Sequence, residues 1–278
     1  MTTRVSVDFR DGALVSAADR GFTYGDGLFE TLRVFDGAIP LWTRHVDRLT
    51  DGCARLRMPP PDASALRDEI LRLCSGWSDV VVRATVSRGV GERGYAVPAP
   101  QRPTVVVSAA PLVLDPVTAH EGIVVRLCDM RLSAQPALAG LKHLNRLEQV
   151  LARAEWSDPG IAEGLMRDAE GGVVCATAAN LFAVVGGQLC TPPVDQGGVA
   201  GVARAEILAT QAVAVAPLSL DQLLGATEVF LTSAVRGILP VRAIGARTWQ
   251  PGPVARALQA HWASLGLPLP SRSKDRDR

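Results

Sequence analysis

Apolar residues along this chain recur with two periods, and the change from one period to the other marks the predicted elements. Alternating or short apolar runs predict strands at residues 5–9, 31–35, 39–42, 80–87, 104–108, 122–127, 162–166, 172–176, 181–185, 228–232 and 239–244. A spacing of three and four predicts helices at residues 46–56, 63–74, 144–154, 203–212 and 254–265. Strands and helices mix throughout, which predicts the α/β (α+β) class.

Breaks in this pattern suggest the domain limits. Residues 109–121 hold two prolines and little periodicity, and we interpret them as a linker. The expected organisation is a smaller N-terminal α/β domain at 1–112 and a larger C-terminal domain at 113–270 that carries Lys142. A polar tail at 271–278 is expected to be disordered. The glycine-rich stretch 19–27 is expected to lack regular structure.

Composition narrows the class of protein. The chain is 47% hydrophobic with a net charge of +1, which favours a globular protein and argues against nucleic-acid or membrane partners. The five cysteines are scattered without CxxC or zinc spacing, so we expect a reduced cytoplasmic protein without a metal. Neither a signal peptide nor a membrane-spanning run is apparent.

Lysine is almost excluded from this sequence, which makes one position stand out. Of the 29 basic residues two are lysines, leaving 27 arginines, and Lys274 lies in the polar tail. Arginine cannot deprotonate to act as an amine nucleophile. Lys142, at the end of an apolar run, is therefore a candidate Schiff-base lysine. The alternative is a surface lysine left by chance in an arginine-rich composition.

A Schiff-base lysine suggests pyridoxal phosphate, whose phosphate group requires backbone N–H groups at a helix start and a cation. Residues 197–204 offer glycines that lead into a helix, and Arg48 lies off the apolar stripe of its own helix. The loop 87–95 carries Arg88 and Arg93, and an arginine there could bind a carboxylate bidentately. An ordinary loop, a solvated arginine and a charged surface hairpin are the alternatives.

Six stretches of the chain form a recognisable set of motifs. They are DRGFTYGDGLFETLRV (19–34), HVDRL (45–49), SRGVGERGY (87–95), GLKHLNRLE (140–148), AANLF (178–182) and GVAGVAR (198–204). Together they resemble the fold type IV pyridoxal-phosphate enzymes, which include the D-amino acid and branched-chain aminotransferases. The stretches 87–95 and 140–148 narrow the resemblance to the 4-amino-4-deoxychorismate lyase family. The resemblance extends from about residue 4 to residue 265, and the lysine motif is its most specific part.

The resemblance implies a cofactor site and a reaction. Lys142 would form the Schiff base with pyridoxal phosphate, while Arg48 and the backbone of Val202 and Ala203 would hold the phosphate. Ala234 stands where related transaminases place a phosphate-binding threonine. The implied protein is a homodimer with sites at domain and subunit boundaries. The implied reaction converts 4-amino-4-deoxychorismate to p-aminobenzoate and pyruvate, for folate biosynthesis.

Substrate contacts follow from the same resemblance. We predict that Arg93 binds a substrate carboxylate, with Tyr95 and Arg33 as further candidates, and that Thr31 brings a hydroxyl to the reacting carbons. Lys142 would remove the proton at the amine-bearing carbon and return one to the leaving enolpyruvate.

One position departs from the family pattern. Cys175 stands where the family has a glutamate that pairs with the pyridine nitrogen, and Glu170 lies five residues earlier. A buried thiol does not ionise readily, so it would leave the ring a weaker electron acceptor. We expect this to impair transamination more than elimination, because aromatisation drives elimination. The alternatives are an aminotransferase for D- or branched-chain amino acids, a weakly active paralogue, and a non-catalytic cofactor-binding protein.

Overall fold

The computed structural model describes residues 3–270 and divides the chain into two compact units. The first unit runs to Val113 and also includes Leu141–Asn145, whereas the second comprises Leu114–Gly140 and resumes at Arg146. Lys142 therefore groups with the first unit, although the sequence placed it in the second domain. The tail predicted at 271–278 lies outside the described residues.

The first unit is a five-stranded antiparallel sheet with order β2-β1-β5-β4-β3. Its strands are β1 (Arg4–Val7), β2 (Arg10–Asp11), β3 (Gly27–Phe35), β4 (Asp79–Ser87) and β5 (Thr104–Pro111). Its helices are α1 (Arg20–Tyr24), α2 (Trp42–Arg55) and α3 (Ala63–Cys74). One face of β4 is buried, since Val80, Val82, Ala84 and Val86 are inaccessible to solvent. Helices α2 and α3 pack against β3 and β5.

The register of β3 against β4 determines which side chains of β3 point into the core of the first unit and which point away from it. Glu30 lies opposite Ala84 and is buried, whereas Thr31 lies opposite Arg83. The segment Leu141–Asn145 pairs with this strand, because the Phe29 N–H donates to the Lys142 carbonyl at 2.9 Å. The Leu144 N–H donates to the Gly27 carbonyl at 3.0 Å. These bonds explain why the lysine segment groups with the first unit.

The second unit is built on a nine-stranded sheet that closes on itself through a pairing of β8 with β9. Its strands are β6 (Ile123–Arg131), β7 (Glu163–Arg167), β8 (Val173–Ala176), β9 (Asn180–Val185), β10 (Gln188–Thr191), β11 (Ala214–Val215), β12 (Glu228–Ser233), β13 (Gly237–Ile244) and β14 (Arg247–Thr248). Its helices are α4 (Pro116–Glu121), α5 (Leu147–Arg153), α6 (Val202–Thr210), α7 (Leu220–Gly225) and α8 (Pro253–Ser264). Alternate residues of the ring strands, such as Leu165, Leu181 and Leu231, form one apolar cluster.

Several segments differ from the sequence predictions. Residues 39–42 form no strand, and helix α2 already begins at Trp42. The stretch 19–27 contains α1, because the Asp19 carboxylate accepts from the Gly21 N–H and caps a short helix. The expected linker at 109–121 contains the end of β5 and helix α4. Helix α5 begins only at Leu147, which is 74% exposed, so its apolar stripe does not face the core of the second unit. Between residues 3 and 270, no helix is long and apolar enough to cross a membrane.

Candidate active site

Lys142 is held by main-chain hydrogen bonds to β3 with its amine over an aromatic ring. Its Nζ lies 4.2 Å from the centroid of the Phe29 ring. Leu141 beside it is buried, so the backbone on the N-terminal side of Lys142 is fixed. The ring gives the amine an apolar surface with a favourable cation–π contact when it is protonated. Lys142 is therefore a positioned residue and not a surface lysine left by chance.

Arg83 lies against the same aromatic ring, and the sequence reasoning missed it. Its guanidinium carbon lies 3.7 Å from the Phe29 centroid, and its Nε donates to Thr85 Oγ1 at 3.3 Å. Burial of the guanidinium lowers the pKa of Arg83. Within the described residues no carboxylate forms an ion pair with it. The alternation of β4, which turns Arg83 away from the buried valines towards Thr31, was the available signal.

Arg48 is fixed by a buried carboxylate. Its Nε donates to Glu30 Oε1 at 2.8 Å and its Nη2 to Glu30 Oε2 at 2.5 Å, while His45 Nδ1 lies 2.7 Å from Oε2. Although burial acts in the opposite direction, the hydrogen bond from His45 and the charge of Arg48 lower the pKa of Glu30. Strand β3 and helix α2 thus hold Arg48 in one orientation.

The predicted substrate residues separate into two groups. Arg33 forms a bidentate ion pair with Asp79, with distances of 2.7 and 2.6 Å, and its side chain is buried. This contact fixes the direction of the Arg33 guanidinium, as Glu30 fixes that of Arg48. Arg93 and Tyr95 lie on the exposed loop between β4 and β5, and Tyr95 is 85% exposed. Thr31 is half-buried on β3.

In the second unit, helix α6 starts without a side-chain cap. Its N-cap is Gly201, and no side chain of the described residues caps the N–H groups that follow at Val202 and Ala203. A Cβ on Gly201 would lie 2.0 Å from Asn180 Oδ1. Asn180 also donates through Nδ2 to the Val199 carbonyl at 2.9 Å. Glycine is therefore required at residue 201, because Asn180 packs against it. The uncapped N–H groups of the first turn of α6 are suited to binding an anion.

Neutral polar groups line up on one face of the closed sheet. Asn180 pairs with Cys175 on one side and with Thr232 on the other, so the three side chains share a face. The Thr232 hydroxyl is buried and has no hydrogen-bond partner within residues 3–270. Ala234 follows the end of β12 and adds only a methyl group.

Cys175 occupies an apolar setting on this face. It packs with Cys128, Trp156 and Met166, and burial raises the pKa of its thiol to about 12. Glu170 lies in the turn before β8 and is exposed. Glu163 shares the face of Leu165 and binds Arg236 at 2.6 Å and the Thr177 hydroxyl. A neutral thiol therefore stands at this position, and neither of these two glutamates replaces it.

A family model for amino-transferase class IV matches residues 27–244. The chain belongs to the class IV aminotransferase family. An aminodeoxychorismate lyase of Vibrio harveyi is 34% identical over 84% of this chain and 88% of its own length. The crystal structure of 4-amino-4-deoxychorismate lyase from Pseudomonas aeruginosa aligns with a TM-score of 0.88 and 45% identity, over 94% of this chain and 98% of that one. A putative branched-chain-amino-acid aminotransferase of Methanocaldococcus jannaschii is 33% identical over 87% and 86%.

Family membership confirms the fold type IV architecture and the class of cofactor, pyridoxal phosphate, that the motifs predicted. The described residues fit that cofactor. An amine is positioned at Lys142, and an uncapped helix start at α6 suits a phosphate. The buried hydroxyl of Thr232, on the face of Asn180, is a further polar group without a protein partner.

Proposed function

We propose that this protein is a pyridoxal-phosphate-dependent lyase that converts 4-amino-4-deoxychorismate to p-aminobenzoate and pyruvate, for folate biosynthesis. The observation that carries the proposal is its identity with the Pseudomonas aeruginosa lyase over nearly the whole chain. That identity exceeds its identity with the putative branched-chain aminotransferase. The arrangement around Lys142 supports the same conclusion.

The proposed cofactor residues are those that the motifs identify. Lys142 would form the covalent link, and Arg48 would offer a cation to the phosphate. The N–H groups of Val202 and Ala203, at the start of α6, would bind the phosphate. Ala234 takes the place of a hydroxyl-bearing residue, so the backbone carries more of the phosphate binding. Pyridoxal phosphate, when bound, supplies a ring that stabilises negative charge on the carbon beside the substrate nitrogen.

The proton transfers are assigned to Lys142. Its amine removes the proton from the amine-bearing carbon of the substrate, the bond from the neighbouring carbon to the enolpyruvate oxygen breaks, and the six-membered ring becomes aromatic. The resulting ammonium then protonates the departing enolpyruvate, which yields pyruvate. Phe29 holds the amine on its ring, and Thr31, on the same strand, offers a hydroxyl towards the reacting carbons.

The substrate carries two carboxylates, and the first unit offers arginines for them. Arg93 is the predicted carboxylate ligand on the loop after β4, with Tyr95 beside it. Arg83 joins it, because its guanidinium lies on the same ring as Lys142 and pairs with no carboxylate of the described chain. Arg33 remains a further candidate, although Asp79 already binds its guanidinium.

Transamination is the second candidate function, favoured by the 33% identity with the putative branched-chain aminotransferase. Cys175 argues against it. A thiol with a pKa raised to about 12 is neutral, so it does not hold the ring nitrogen protonated. A reaction driven by loss of enolpyruvate and aromatisation depends less on that charge than does reprotonation at the cofactor carbon.

The test uses the purified holoenzyme. Its absorbance spectrum is recorded before and after addition of 4-amino-4-deoxychorismate, and p-aminobenzoate and pyruvate are measured in the same reaction. We expect both products in equal amounts. Formation of keto acid from D-alanine or leucine without these products would identify an aminotransferase. An unchanged cofactor spectrum would indicate a protein that binds the cofactor without catalysis.

We also propose that the protein is a homodimer and that it is located in the cytoplasm. Helix α5, directly after the lysine segment, presents Leu147, Val150 and Leu151 to solvent, and such a stripe suits burial against a second copy. The five cysteines are free thiols, which suits a reducing compartment. Light scattering of the purified protein checks the dimer, which we expect to dissociate when Leu147 and Leu151 are replaced by glutamate.

A further inference from the structure

The loop between β4 and β5 carries Arg93 and Tyr95, and its ends are drawn together by a close backbone approach. Gly89 has a φ of +86°, and a Cβ there would lie 1.9 Å from the Arg102 carbonyl oxygen. Only glycine fits this position. The loop is therefore closed at its base, while its outer residues, including the arginine expected to bind substrate, are exposed.

Arg20, at the start of α1, holds the outer part of the loop. This arginine is buried, and its Nη1 donates to the Gly94 carbonyl at 2.9 Å and its Nη2 to the Tyr95 carbonyl at 3.4 Å. Its backbone N–H donates to the Gly89 carbonyl at 2.9 Å. One residue thus binds the loop at its base and at the successive carbonyl groups of Gly94 and Tyr95.

Tyr24, at the end of the same short helix, supports the same two residues. Its hydroxyl accepts from the Gly94 N–H at 3.0 Å, and its ring centroid lies 5.4 Å from that of Tyr95. The Arg20 guanidinium lies 5.0 Å from the Tyr24 ring. Helix α1 therefore forms a platform directly beside Arg93, although Arg93 itself is exposed.

Asp26 is the carboxylate on which this platform depends. It accepts from Arg20 Nε at 2.8 Å and from Arg88 Nε and Nη2 at 2.7 and 2.9 Å. Arg88, also buried, extends to the Leu56 carbonyl at 2.9 Å and to Gln101 Oε1 at 2.9 Å. Burial opposes ionisation, yet the hydrogen bonds from both arginines lower the pKa of Asp26. One charge thus links α1, the end of α2 and both sides of the loop.

We propose that Asp26 is a positioning residue that, through Arg20 and Tyr24, sets the place of Arg93 for a substrate carboxylate. The inference rests on the proposed function, because the ligand of Arg93 is that substrate. Asp26 reaches the loop through arginines whose other bonds go mainly to carbonyl oxygens. Its charge, and not its volume, is therefore the property that counts.

The test combines kinetics with limited trypsin digestion, since Arg93 is a cleavage site in the loop. In Asp26→Asn we expect cleavage after Arg93 to be about tenfold faster and KM to rise about tenfold with kcat within about twofold. Tyr24→Phe removes one acceptor and should raise both the cleavage rate and KM about threefold. Asp11→Asn is the matched control, because its ion pair with Arg72 lies on the exposed surface of the same unit.

The outcomes are separable. Tyr24→Phe decides the question if Asp26→Asn does not fold. Unchanged cleavage in the folded variants would overturn the support of the loop by Asp26. Faster cleavage with unchanged KM would overturn its link to substrate binding. A wild-type protein that forms no p-aminobenzoate would instead overturn the proposed function, and trypsin digestion would still test the loop.

Discussion

The two units equip the proposed reaction with different kinds of groups. On the first unit, Arg48 and Arg20, which we propose to bind phosphate and to position the loop, are held by the carboxylates Glu30 and Asp26. On the second, backbone N–H groups at α6 are joined by the neutral side chains of Asn180 and Cys175. No ion pair within the described residues involves Asn180 or Cys175.

This difference has a chemical meaning. A guanidinium that must bind an anion needs a fixed direction, and a buried carboxylate fixes it at the cost of desolvation. The groups that the second unit is proposed to offer to the phosphate and to the ring, backbone N–H groups and a thiol, carry no charge. The first unit is therefore expected to be sensitive to loss of charge, and the second to gain of volume or of charge. Four substitutions test this contrast.

The largest effect is expected at Lys142. Lys142→Arg keeps the charge on the Phe29 ring but removes an amine that can deprotonate, so lyase turnover should fall by about a thousandfold or more. The visible absorbance of the covalently linked cofactor should disappear as well. Retention of that absorbance in the variant would show that another group links the cofactor.

Glu30→Gln tests charge on the first unit. It leaves Arg48 with a neutral acceptor, so we expect a loss of about 3 kcal/mol in unfolding free energy and weaker cofactor binding. Because the pKa of Glu30 is lowered in the folded state, its ionised form stabilises the protein above the ordinary carboxylate pKa. That contribution is lost as the pH falls below it.

Urea unfolding at several pH values checks this expectation. The difference between wild type and Glu30→Gln should shrink as the solution becomes acidic. A difference that stays constant from neutral to acidic pH would mean that Glu30 contributes by shape alone. Asp62→Asn, which retains a capping side chain at the exposed start of α3, serves as the control.

Gly201→Ala tests volume on the second unit. Its φ of −67° accepts alanine, so the effect arises from the collision with Asn180 Oδ1. A cost of about 1–3 kcal/mol in overpacking should appear mainly as weaker cofactor binding. Gly225→Ala is the matched control, because a Cβ there meets nothing within 4 Å. Equal cofactor affinity in the two variants would contradict the role given to this close approach.

The smallest effect is expected for Cys175→Glu. A carboxylate at this position should keep the ring nitrogen protonated and raise the ratio of transamination to lyase turnover by about tenfold. Cys175→Gln, with the same shape and no charge, is the control. If the ratio is the same in both variants, Cys175 does not determine the balance between the two reactions.

Part of this picture could be read from the sequence. The bounds of α3 were predicted residue by residue, and the valines of β4 revealed their buried face through alternation. Lys142 stood out because the chain otherwise uses arginine, and the motifs around it identified the family. These features depend on residues that are close together in the chain.

The partners of the arginines could not be predicted in this way. Arg33 and Arg83 both lie on strands of one antiparallel pair and look alike in sequence. Arg33 lies opposite Val81, so Asp79 is its diagonal neighbour, whereas Arg83 lies opposite Thr31. A carboxylate therefore binds the first and not the second. The exposure of the apolar stripe of α5 could not be predicted either. Periodicity indicates that a helix has an apolar face, but it does not indicate what packs against that face.

The lysine segment has a consequence for how such a protein can be divided. Leu141–Asn145 groups with the first unit but lies within the chain of the second, so the polypeptide passes between the units three times. A hybrid joined at Val113 from two homologous parents would carry a lysine segment from one and its partner strand β3 from the other. A functional hybrid therefore requires that residues 141–145 fit strand β3. We expect hybrids in which both segments come from the same parent to fold better than hybrids in which they do not.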